Sequence, residues 1–119
     1  MIPKFRAWDK NTNDMVDVKT IDLEKDGSIG CIVDYNGINL DVSECVLMQS
    51  TCVKDKNGVE IFEGDIGWDD HQEVHGQVIF ENGAFKYEWD NISEDLFEAT
   101  DDIEIVGNIY ENPELLEGN

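Results

Sequence analysis

The chain has 119 residues, 40% of them hydrophobic, and a formal net charge of −20. This length suits one domain, taken as 1–119 with possible lobes 1–48 and 49–119, and the apolar share supports a modest core and excludes a disordered chain. The charge excludes free nucleic acid and anionic membrane surfaces as direct partners and favours basic ones.

The charge is uneven. Residues 1–60 hold seven Lys/Arg against eleven Asp/Glu, whereas 61–119 hold Lys86 alone against seventeen acids, a net of −16. Such asymmetry points to an interaction surface more than to a general need for solubility. Three cysteines, Cys31, Cys45 and Cys52, form no CxxC pair, which predicts reduced thiols in a cytoplasmic protein. The opening MIPKFRAWDK carries no apolar run of signal-peptide length, and no stretch approaches the ~20 apolar residues of a membrane span.

In chain order the apolar residues mostly recur with strand period, broken by four Asx-Gly pairs: Asp26-Gly27, Asn36-Gly37, Asn57-Gly58 and Asn82-Gly83. Each pair can supply the positive φ of a tight turn, so the chain reads as β-rich. The segment IGCIVDYNGINLDVSECVLM (29–48) predicts two strands around Asn36-Gly37, with Ile32, Leu40 and Val42 turned inward. KDKNGVEIFEGDI (54–66) predicts a strand–turn–strand of the kind found in small SH3-like barrels. QVIFENGAFKYEW (77–89) is the clearest unit. Val78 and Phe80 alternate before Asn82-Gly83, and Phe85, Tyr87 and Trp89 alternate after it, which predicts a hairpin with those aromatics in the core. SEDLFEA (93–99) predicts one or two helical turns capped by Ser93. IEIVGNIY (103–110) returns to strand, and NPELL (112–116) predicts a short terminal helix with Asn112 as N-cap and Pro113 at its first position.

DDHQEVHG (69–76) places His71 and His75 four residues apart among acids. A zincin needs His-Glu-x-x-His on a helix; here Glu73 falls one place late, and strands flank the stretch. Residues four apart on an extended strand sit ~13 Å from each other, too far to share an ion. The expectation is a solvated turn and no metal. No GxSxG surrounds a serine, no nucleotide-binding glycine motif occurs, and Cys45 and Cys52 are expected to be buried thiols among apolar neighbours. The chain is expected not to be an enzyme and to carry no cofactor.

Three segments, KFRAWDK (4–10), LMQSTCVKDKNGVEIFEGDI (47–66) and IEIVGNIYENPELL (103–116), resemble the YopX protein family, small proteins of bacteriophages and prophages. Cys52 stands where that family typically has glycine, and Ser50 where an aromatic is common. The resemblance implies a β-rich protein in the cytoplasm of a bacterial host, but no settled activity.

The fold expected is mainly β: a small SH3-like, barrel-like domain with an N-terminal β lobe and one or two short helices near the C-terminus. The function expected is acidic binding: occupation of the basic site of a host nucleic-acid-binding protein, such as a defence nuclease, by inhibition or nucleic-acid mimicry. Duplex DNA carries one charge per about 1.7 Å, so sixteen charges match about 27 Å of duplex, and a domain of this size is roughly 35 Å across. The candidate partner-binding residues are Asp69, Asp70, Glu73, Glu81, Glu88, Asp90, Glu94, Asp95, Glu98, Asp101, Asp102 and Glu104. Acids alternating along a strand should split between two faces, whereas a helical 93–104 segment would gather them. The alternative is a self-assembling phage protein, a homo-oligomer whose apolar segments make subunit contacts.

Overall fold

The computed structural model describes residues 4–117. The fold is mainly β, built from antiparallel strands, with two short helices near the C-terminus. It divides into two units, one running to Gln49 and one from Ser50 onward.

The first unit holds β1 (Phe5–Asp9), β2 (Asp14–Leu23), β3 (Ile29–Asp34), β4 (Asn39–Asp41), a single 3₁₀ turn (Val42–Glu44) and the first half of β5 (Cys45–Lys54), in the sheet order β4-β3-β2-β1-β5. Its core is Ala7, Ile32, Leu40 and Cys45, flanked by half-buried Val16, Val18, Ile21 and Leu47. Ile32 and Leu40 face each other across β3 and β4, as the alternation requires. Val42 does not join them. It lies in the 3₁₀ turn at 42% exposure, because Asp41 accepts a hydrogen bond from the Ser43 N–H and ends the period-2 pattern one residue early.

The second unit holds the rest of β5, which pairs with β6 (Glu60–Phe62), and a five-stranded sheet. Its strands are β7 (Asp65–Asp69), β8 (Val74–Glu81), β9 (Ala84–Trp89), β10 (Ile92–Asp95) and β11 (Ile103–Asn108), ordered β10-β9-β8-β7-β11. The order is open: among the described residues no pairing joins β10 to β11. Helices α1 (Leu96–Ala99) and α2 (Glu114–Glu117) are one turn each. Ile61, Val78, Tyr87, Trp89, Leu96, Ala99 and Ile103 form the core.

The Asn82-Gly83 hairpin forms with a two-residue loop, Glu81 opposite Ala84 and φ of 53° and 81° at the loop residues, the type I′ turn that matches strand twist. Tyr87 and Trp89 are buried and Phe85 half-buried, but Phe80 is 50% exposed. It sits beside the loop with its ring centroid 4.9 Å from that of Phe85. The helical reading of 93–99 is half right. Residues 92–95 pair with β9 as a strand, Ser93 lies opposite Glu88, and the helix begins only at Leu96, with Asp95 in the N-cap position and no side-chain cap bond. Ladder bonds to a neighbouring strand outweighed a weak local preference. At the C-terminus the Asn112 carbonyl accepts from Leu115, but its side chain turns back to accept from the Asn108 N–H at 3.3 Å.

Two turn designs recur through the chain. In the first, Asp34 and Asp55 open D-x-N-G-x loops in which one carboxylate oxygen accepts two backbone N–H groups, from Asn36 and Ile38 or from Asn57 and Val59, all at 2.8–2.9 Å. Gly37 and Gly58 supply the positive φ of 81° and 83°. In the second, Asp9, Asp69 and Asn108 end strands and accept the N–H two residues on, while the residue four on donates to their own carbonyl at 2.8–2.9 Å.

Candidate functional site

The histidine loop is the second of these designs. β7 and β8 are joined by residues 70–73, Asp69 stands opposite Val74, and Glu73 takes a φ of 55°. The Asp69 carboxylate accepts from the His71 and Gln72 N–H groups at 2.9 and 3.3 Å. His71 lies exposed in the loop, whereas His75 lies on β8 with its ring 4.7 Å from that of Trp68. Among the described residues no group of three or more His, Cys, Asp or Glu is placed to hold a metal ion.

The twelve acids proposed for partner binding fall into distinct settings. Asp69 is buried and committed to its own turn, so it is a structural residue and not a surface acid. Asp70 is exposed but engaged: it accepts from Lys56 Nζ at 3.0 Å and from the Trp68 indole N–H. The Lys56 bond, then the Trp68 bond, hold its carboxyl below the usual range. Half-buried Glu104, across from Trp68 on β11, adds to the field that pushes the Lys56 ammonium up. Asp95 pairs with Lys86 Nζ at 2.7 Å. Glu73 and Glu81 are exposed at loops, and Glu88 and Asp90 are exposed where β9 ends.

The remaining acids gather. Glu94 on β10, Glu98 on α1, and Asp101 and Asp102 in the turn after it come from one short stretch. Glu94 is half-buried, and its carboxyl is pushed up, first by burial and then by the negative charges of Glu98, Asp69 and Asp102. Four carboxylates from β7, β10, α1 and the following turn therefore share one field around Glu94, and the Lys86 ammonium, held by Asp95, also feels Glu98. Alternation does split the strand acids: Glu88 and Asp95 project from the face opposite buried Tyr87, and Glu94 from the other. The gathering at 94–102 arises from strand, helix turn and loop together, not from a continuous helix.

Sequence reasoning missed two features. Asp90-Asn91 is a second two-residue hairpin loop, with φ of 43° and 66° and Trp89 opposite Ile92; an Asx-Asx pair after the Phe85/Tyr87/Trp89 alternation was the available signal. Asp55 reaches beyond its turn. Its second carboxylate oxygen accepts from the Ile105 N–H at 2.8 Å, and the Lys56 N–H donates to the Ile103 carbonyl at 3.1 Å. Cys45 is buried as expected, but Cys52 is exposed, because it takes a φ of 65° at a register shift in β5 where its N–H donates to Ser50 Oγ. A left-handed backbone is therefore kept at the position where glycine was expected.

The family model described as "YopX protein" matches residues 4–117. Among solved structures, protein EF1440 from Enterococcus faecalis is similar at 32% identity with a TM-score of 0.80, covering 98% of this chain and 99% of its own. Protein yopX from Bacillus subtilis shares the fold at 22% identity and a TM-score of 0.67, covering 95% and 97%. No curated protein gives a significant match. The chain belongs to the YopX protein family.

Proposed function

We propose that the protein is an acidic binding protein whose second unit engages a basic surface of a host nucleic-acid-binding protein, in competition with that protein's nucleic acid. The observation that carries this reading is the field around Glu94. Like charges held together against burial lower the stability of the free protein, and such arrangements are kept at binding sites more often than by accident. Elsewhere in the unit the same chemistry is neutralised, by Lys56 at Asp70 and by Lys86 at Asp95. Glu94, Glu98, Asp101 and Asp102, with Glu104 nearby in sequence, are the residues assigned to the partner. The reading places the protein in the cytoplasm of a bacterial host, in keeping with the phage association that the sequence resemblance implied; no helix among the described residues is long and apolar enough to cross a membrane.

The test is capture from a bacterial lysate on the tagged protein at low and high salt. A nucleic-acid-binding protein retained at low salt, displaced by added DNA and lost when residues 94, 98, 101, 102 and 104 are neutralised supports the reading. Retention that survives neutralisation refutes it. A self-assembling chain is the second reading, favoured by the exposed apolar side chains Ile92 on edge strand β10 and Phe97 on α1. A mass in solution several times 13.5 kDa would support it, and a monomer would exclude it.

A further inference from the structure

The five-stranded sheet of the second unit ends in β11 on one side and β10 on the other, and the chain treats these two edges differently. Along β11, the Lys56 N–H donates to the Ile103 carbonyl at 3.1 Å and the Ile105 N–H donates to the Asp55 carboxylate at 2.8 Å. That edge is covered by the turn Asp55 builds. Along β10, Trp89 and Ile92 close the two-residue loop and so form a hydrogen-bonded pair, with Glu94 and Tyr87 as the next. Ser93 and Asp95 fall between these pairs, and the Ser93 N–H and C=O and the Asp95 N–H are directed away from β9. Among the described residues no backbone group meets them.

Ile92 and Glu94 stand opposite Trp89 and Tyr87, on the face of the sheet that carries the core. Ile92 is nevertheless 51% exposed and Glu94 only half-buried, because an edge strand has a neighbour on one side alone. Burial and the charges of Glu98, Asp69 and Asp102 push the Glu94 carboxyl up. On the other face Asp95 is already paired with Lys86. A strand added outside β10 would therefore meet three backbone groups, an apolar side chain and, two residues on, a half-buried carboxylate among like charges. Residues 88–104 contain no Lys or Arg, so this stretch supplies Glu94 with no cation of its own.

An open edge is a template for an extended segment of another chain: backbone bonds give the affinity, and alternate side chains give the specificity. We infer that an extended segment of a basic partner protein adds to β10 as an antiparallel strand, with a Lys or Arg beside Glu94 and an apolar residue two positions later beside Ile92. In that register the residue between them exchanges both backbone bonds with Ser93. The flanking pairs are then of the closer, non-hydrogen-bonded kind in which side chains meet. A second copy fits the edge less well. Paired antiparallel about Ser93, it would set Glu94 against Ile92, cover both carboxylates without a cation, and bring together two units of net charge −16 each. The basic partner is that of the proposed function, on which this inference rests.

The test is a titration of the full chain with the acetylated, amidated peptide Ser-Thr-Arg-Thr-Val-Thr-Ser, followed by NMR and by amide hydrogen exchange at Ser93 and Asp95. Two peptides of equal charge are the controls: the reversed order Ser-Thr-Val-Thr-Arg-Thr-Ser, and the first peptide N-methylated at its central threonine. The first peptide is expected to bind saturably and to slow exchange at both amides at least about tenfold, with each control at least about fivefold weaker. Ser93→Pro removes an N–H that faces away from β9 and changes no charge, so it should leave the fold intact and weaken the first peptide about tenfold or more. Equal binding of the three peptides, or unchanged exchange at Ser93 and Asp95, would overturn the inference. Protection of those amides in the free protein that grows with its concentration would assign the edge to a second copy and overturn it too. Lysate capture that needs residues 94–104 but survives Ser93→Pro would overturn strand addition and leave the proposed function standing. Saturable, order-dependent peptide binding with no nucleic-acid-binding protein captured would support strand addition and refute the proposed function.

Discussion

Replacing Asp55 with Ala should be among the most damaging single changes in the protein, although no chemistry passes through it. The side chain is 6% exposed and accepts three backbone N–H groups, from Asn57, Val59 and Ile105, at 2.8–2.9 Å. Hydrogen bonds to a charged group contribute roughly 1.5–3 kcal/mol each and are not additive, so the loss should be about 3–5 kcal/mol. Asp34→Ala is the internal control. Asp34 builds the same turn at 5% exposure, but among the described residues its carboxylate has no bond equivalent to that from Ile105. It should cost less, by about 1–2 kcal/mol. Burial acting alone would raise the Asp55 carboxyl, but the N–H groups of Ile105, Val59, Asn57 and Gly58 outweigh it and the net direction is down. The stabilisation is therefore present above the unfolded carboxyl value of about 3.9 and is lost as pH falls through the lower folded value. Urea unfolding followed by tryptophan fluorescence, at pH 7 and again between pH 4 and 2, measures both effects. A loss within about 0.5 kcal/mol of the Asp34 variant, or a gap from wild type unchanged at low pH, would refute the assignment.

Gly76→Ala should destabilise by about 1–3 kcal/mol in thermal unfolding, because a Cβ there would run into Cζ of Tyr87, a ring only 1% exposed. Tyr87→Phe should be neutral or stabilising by up to about 1 kcal/mol, since the hydroxyl is buried without an aligned hydrogen bond although the Gly76 N–H lies close. Cys52→Gly should stabilise by about 0.5–1 kcal/mol by relieving a Cβ at φ 65°; a loss in urea unfolding would show that the cysteine side chain itself contributes. Glu94→Gln should stabilise slightly at pH 7 and low salt. A carboxyl with a raised folded value is penalised only once it ionises, so the benefit should vanish below about pH 4, and a benefit that persists there would contradict the like-charge account.

The lysate capture depends on summed charge and should weaken steeply with salt.

Local information was sufficient for much of the fold. Strand alternation and Asx-Gly pairs act over a few residues, and they located β3, β4, β8, β9 and β11, the Asn82-Gly83 hairpin, and the inward turn of Ile32, Leu40, Tyr87 and Trp89. The histidine spacing likewise argued for a turn, and Asp69 closes that turn through bonds only two and three residues long. Tertiary structure decided what depends on distant partners. Pairing with β9 turned residues 92–95 into strand against their helical appearance, and the Asp55–Ile105 bond spans fifty residues. The Glu94 carboxyl is pushed up first by burial and then by Glu98, Asp69 and Asp102, which reach it from separate elements. Sequence alone fixes how many carboxylates there are; folding decides which are consumed in turns, which meet a lysine and which are left facing one another.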